Sequence, residues 1–134
     1  KHVDKAFELA EAHNNRVILP YVHELAGLCH AAKQTYAKAI EHFATGFAMA
    51  KDDDDRRAQC QILIEHGHLE RRRGKLRASL PLYRTGAAVA AAMSYPLWQQ
   101  RFALALADVF EELGQLERAL EQHKVAWRIQ HAKR

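Results

Sequence analysis

Long hydrophobic runs are missing from this chain. Its apolar stretches fall far short of the ~20 residues that cross a bilayer, so no membrane-spanning helix is expected. Proline numbers only 3 and glycine 6, which leaves no material for a long linker or a low-complexity tract. Two cysteines, Cys29 and Cys60, cannot form a disulfide framework. Cys29 falls in register with Leu69 and Val109 and reads as a small core residue. Neither sign of charge dominates: Lys and Arg total 20 against 16 Asp and Glu, a formal net charge of +4. That excess is too mild to argue for nucleic acid. The chain opens at Lys1 with no initiator Met and no signal-peptide pattern, and it is expected to be a piece of a longer, reduced, cytoplasmic protein.

What the sequence does have is a repeat. Gly27, Gly67 and Ala107 lie 40 residues apart, as do Phe43, Tyr83 and His123, and Gly46, Gly86 and Ala126. Tyr36, Leu76 and Leu116 follow the same spacing, with Ala39, Ser79 and Ala119, and Ile40, Leu80 and Leu120. Small residues recur at some places and large apolar ones at others. A period in this range marks a solenoid, in which each unit buries its apolar face only by stacking on its neighbours. With 134 residues there is room for a short array.

Helical spacing of the apolar residues predicts three helical hairpins and no strand. Residues 1–13 read as the last turns of an earlier helix, with Asn14 and Asn15 forming a polar turn. The hairpins are expected over 16–51, 55–93 and 96–132, each with a first helix A and a second helix B: 16–33 and 35–51, 55–72 and 75–93, 96–113 and 115–132. Gly74 and Gly114 fit left-handed turn positions. The late members of the run Asp52 to Asp55 are expected to cap the next helix. Ser94 reads as an N-cap and Pro96 as a first-turn proline. Pro81, inside a helix B, is expected to kink that helix or mark a later start.

These residues resemble tetratricopeptide repeats, through the Gly-Gln-Leu-Glu-Arg-Ala-Leu-Glu-Gln-His stretch from Gly114 to His123 and the Tyr-Ala-Lys-Ala-Ile-Glu-His-Phe stretch from Tyr36 to Phe43. The small helix A residues Gly27, Gly67 and Ala107 match, and Phe110 matches the later aromatic, while His30 and Glu70 depart from it. The 40-residue period is similar to the long-helix variants of bacterial transcription activators, peptide-sensing regulators and sensory segments of diguanylate cyclases. The resemblance implies an all-α, right-handed superhelix of antiparallel hairpins, serving as a regulatory module that binds other proteins. It further implies that the helix A row lines a concave groove for an extended peptide or a partner's helix. Carried over by register, the lining is Tyr21, Glu24, Leu28 and Ala31, then Gln61, Ile64, His68, Arg71 and Arg72, then Arg101, Leu104, Asp108, Glu111 and Glu112. Leu28, Ile64 and Leu104 would form its apolar floor, with Arg71, Arg72 and Arg101 free to pair a carboxylate. Ile64→Asp with Leu104→Asp is expected to remove binding and leave the chain folded.

Other chemistries find no footing. No Ser, Cys or Asp sits in a nucleophile setting, so no catalytic residue is assigned. Asp52 to Asp55 lacks the spacing and glycine of a calcium loop. Gly74-Lys75 lacks the rest of a phosphate loop. The basic run from Arg71 to Lys75 lacks aromatic interleaving and reads as a solvated hairpin turn. Nine histidines include no His-Glu-x-x-His motif, and His23 and His30, which share a helix face, have no third ligand. His123 reads as packed, like Phe43 and Tyr83. No metal and no cofactor are expected. The last helix carries Val125, Trp127 and Ile129 with no following hairpin to cover them. That makes a second reading: a structural segment that dimerises through its terminal helices.

Overall fold

The computed structural model describes residues 2–12 and 16–132. Among them the chain forms seven helices and no strand: α1 His2–Ala12, α2 Leu19–Ala32, α3 Tyr36–Asp52, α4 Arg56–Arg72, α5 Leu76–Ala92, α6 Pro96–Glu112 and α7 Leu116–His131. The protein is all-α. It divides into two compact units, Lys1–Glu65 and His66–Arg134, with α4 running across the boundary. In the first unit α2 packs on α3 and α1 on α2; in the second α5 packs on α6 and α6 on α7. The turn expected at Asn14 and Asn15 lies outside the described residues.

The helices α2 to α6 all end the same way. A residue in the left-handed region stands at Gln34, Asp54, Gly74, Ser94 and Gly114, one every twenty positions, with φ of 63, 55, 79, 50 and 77°. At each, the left-handed residue donates its N–H three residues back and the next residue donates five back. Gln34 donates to the Ala31 carbonyl and Thr35 to His30; Gly74 donates to Arg71 and Lys75 to Glu70. Asp54, Ser94 and Gly114 repeat the pair. This double closure satisfies helix-end carbonyls that would otherwise lack partners. Glycine enters such a turn without strain, whereas a residue with a Cβ does not. Ser94→Gly is therefore expected to raise stability by about 1 kcal/mol in a urea melt.

The turns correct two expectations. Ser94 is the left-handed residue that ends α5, so it does not cap α6; Tyr95 occupies that position, without a side-chain bond, and Pro96 is the first helical residue. α5 does not start late: it runs unbroken from Leu76 through Pro81. Pro81 offers no N–H to the Arg77 carbonyl, but both residues are exposed and water is at hand. The aspartate run behaves as expected at its end, where the Ala58 N–H donates to Asp55 Oδ1 at 3.0 Å. α2 begins at Leu19, later than 16, with Pro20 in its first turn.

The small residues of the repeat admit large neighbours. An ideal Cβ on Gly27 would stand 2.6 Å from the Phe43 ring, and one on Gly67 would strike Tyr83. One on Gly86 would strike Phe102. Phe43, Tyr83 and Phe102 are each fully buried. A missing side chain on one helix thus seats a ring from the next, and these seats bring the helix axes close. Ala10, Ala50 and Ala90 share one register and are all at most 1 % exposed.

Candidate partner-binding surfaces

The residues expected to line a groove separate into buried and open ones. In the first unit, Glu24 is 8 % exposed and accepts a 3.1 Å hydrogen bond from Gln61 Nε2. Burial raises its carboxyl above the usual range; the Gln61 bond opposes this, and Glu65 adds to it. Ile64 is also 8 % exposed. Both belong to the core more than to a lining, so Ile64→Asp is expected to destabilise the fold and not leave it intact. Tyr21, Leu28 and Gln61 are half-buried and keep part of their surface in solvent.

The second unit holds the open set. His68, Arg71, Arg72 and Glu112 line a cleft of ≈ 460 Å³ between the end of α4 and the end of α6. The Arg71 guanidinium is engaged there: its Nε and Nη2 donate to Glu112 Oε1 at 3.0 and 2.8 Å, and Asp108 Oδ2 lies 4.0 Å away. Arg101 sits over the Trp98 ring at 4.8 Å. Of the three arginines expected to be free for a carboxylate, Arg72 alone makes no hydrogen bond, ion pair or ring contact among the described residues, and it stands exposed. Leu104 is 40 % exposed, one turn before the exposed Asp108. Beneath them the Tyr83 hydroxyl, pushed up to about 12 by burial, stays protonated and shares a 2.6 Å hydrogen bond with His68 Nδ1. Burial lowers His68 as well, helped by Arg71 and Arg72 and opposed by Asp108, so its ring is neutral at neutral pH.

The basic hairpin turn is less solvated than expected, since Arg73 Nη1 reaches Glu70 Oε1 at 3.2 Å and Arg71 holds Glu112. Cys29 is only half-buried, although Leu69 and Val109 in its register are 1 % and 0 % exposed. Cys60 is buried and its thiol is pushed up to about 11, which leaves it inert.

A cluster that the sequence did not disclose ties α1, α2 and α3 together. His23 Nδ1 and His42 Nδ1 are 3.1 Å apart, the Phe7 ring lies 4.7 Å from His23, and His30 stacks on His42 at 5.4 Å. His30 Nδ1 is taken by Thr35 Oγ1. The sequence pairs His23 with His30 through their helix spacing, but His42 joins only when α3 folds back. Among the described residues no group of three or more His, Cys, Asp or Glu side chains could hold a metal. Burial lowers both His23 and His42; each is further lowered by a neighbouring imidazole, and Glu41 opposes the shift at His42. A histidine whose folded value lies below its unfolded one favours the fold when neutral. That contribution is present above 6.5, the ordinary value, and is lost as pH falls below it. The melting temperature is therefore expected to drop as pH passes below 6.5, and His42→Gln should flatten the drop in a calorimetric pH series.

At the far end, His123 is not packed as Phe43 and Tyr83 are. Ala107 fills the notch that Gly27 and Gly67 leave empty, and His123 turns outward to Glu111 Oε2 at 2.8 Å. Trp127 is 61 % exposed and stacks on His131 at 4.1 Å. Val125 and Ile129 are half-buried on the other side of α7, so they do not join it. Its apolar companions are Leu116 and Leu120, at 68 % and 55 % exposure.

No described helix is long and apolar enough to cross a membrane. No family model matches the chain, and no curated protein matches it.

Proposed function

We propose that this chain is a protein–protein interaction module of the tetratricopeptide type, part of a larger cytoplasmic signalling protein, and that it binds a peptide or a partner's helix along its helix A rows. The observation that carries this reading is the repeated joint: a left-handed residue every twenty positions and glycine seats for Phe43, Tyr83 and Phe102. A scaffold of identical joints presents rows of side chains from like helices, and such rows serve as docking surfaces. The second unit offers the better docking chemistry. Leu104 supplies exposed apolar area, and Arg72 stands beside a cleft whose other cation is already neutralised. A ligand with an apolar anchor and a carboxylate would use both.

The test is a peptide-display selection against the chain, followed by titration calorimetry. Peptides so selected are expected to lose about tenfold or more in affinity for the Leu104→Asp, Arg72→Glu variant. They should bind Trp127→Glu unchanged. If the selected peptides hold the double variant as tightly as the parent, this reading fails.

A further inference from the structure

α5 and α7 occupy the same register of the repeat, yet they are covered differently. On α5, Leu80 is 9 % exposed and Tyr83 and Ala90 are 0 %. On α7, the matching Leu120 is 55 % exposed, and His123 and Gln130 lie in solvent. α5 carries α6, with Phe102 seated on Gly86 and Tyr83 itself seated on Gly67 of α4; on α7 the residue in the Gly86 register, Ala126, is also buried, and the open part is the neighbouring stripe of Leu116, Leu120 and Trp127. Leu116, Leu120 and Trp127 fall within about 40° of arc on that helix and make one apolar stripe.

The charges beside the stripe are ordered along the helix. Glu117 and Glu121 precede Lys124 and Arg128, all four are exposed, and all lie within about 60° of arc on one flank. We infer that this face of α7 is an interface with a second copy of the chain, the two α7 helices packing antiparallel about a two-fold axis. Antiparallel pairing sets Leu116 of one copy on Trp127 of the other, with Leu120 and His123 near the axis. The same operation sets a flank against itself in reverse order. Glu117 then meets Arg128 and Glu121 meets Lys124, twice over. A parallel pair would turn the charged flank away from its own copy. The apolar stripe supplies the affinity and the charge order selects the orientation. One helix on one helix is a small interface, so association is weak and concentration-dependent.

Sedimentation equilibrium over a concentration series tests this, with circular dichroism to confirm that each variant remains helical. The wild-type chain should show a reversible monomer–dimer equilibrium. Trp127→Glu should weaken it about thirtyfold. Glu117→Arg with Glu121→Lys should weaken it about tenfold by setting like charges together. Adding Lys124→Glu and Arg128→Glu to that pair should restore the parent affinity to within about threefold, because the order is merely reversed. A wild-type chain that stays monomeric throughout assigns the face to a different helix and overturns the inference. So does a dimer indifferent to Trp127→Glu, or a fourfold swap no tighter than the double one.

Discussion

Gly86→Val is expected to lower the stability of the chain by about 3 kcal/mol or more, measured as the shift of its urea midpoint at constant slope. Two opposing effects decide the sign. Replacing glycine inside a helix normally gains a few tenths of a kcal/mol, since less backbone freedom is lost on folding. Against that, even a Cβ at this position would strike the Phe102 ring, and valine adds two methyls beyond it. Phe102 is fully buried and has no solvent to retreat into, so relief requires moving α5 from α6. Overpacking therefore dominates. Gly74→Ala supplies the contrast: nothing lies within 4 Å of its Cβ, and its cost of about 1 kcal/mol is that of the left-handed backbone alone. The mechanism is tested through the ring. Phe102→Leu makes room, so Gly86→Val should cost less in that background than in the parent. Strict additivity of the two substitutions would show that Gly86 is not a seat for Phe102.

The helices were legible in the sequence because size alternation repeats: where Gly86 needs a notch and Tyr83 a socket, the same needs recur one period away at Gly46 and Phe43. Their ends came within a residue or so for α3 to α7, since Gly74 and Gly114 mark the turns and Asp55 the start of α4. The exceptions are the positions where composition and register disagree. Gln34, Asp54 and Ser94 adopt the left-handed backbone of Gly74 and Gly114 without being glycine, so only their place in the twenty-residue series identifies them. Ser94, a good cap by composition, is a poor one here for that reason. The surfaces were harder to read. Arg71 finds Glu112 and His23 finds His42 through pairings 41 and 19 residues apart, and no helix-face rule connects residues on different helices. Alignment by period also hides changes of role: Ala107 stands where Gly27 and Gly67 seat rings, and His123 in the Phe43 and Tyr83 register lies exposed against Glu111.

Ile64→Asp and Leu104→Asp, one period apart and alike in sequence, are expected to part company. Ile64 is 8 % exposed and its neighbours Ile62 and Leu63 are 0 % and 4 % exposed, so an aspartate there must either bury a carboxylate or open the helix packing to hydrate it. That should cost about 4 kcal/mol or more, enough to leave much of the chain unfolded at ambient temperature. Leu104 is 40 % exposed, and its replacement removes little buried area and leaves the new charge in water. Its cost should stay within about 1 kcal/mol. Thermal melts followed by circular dichroism separate the two, and Leu104→Asp should retain the parent's helicity while Ile64→Asp loses it. The difference matters for function, since only a substitution that spares the fold reports on docking. Loss of peptide binding in Leu104→Asp then counts as loss of a contact, whereas the same loss in Ile64→Asp would reflect unfolding. Equal melting temperatures for the two variants would mean that Ile64 belongs to an open surface after all.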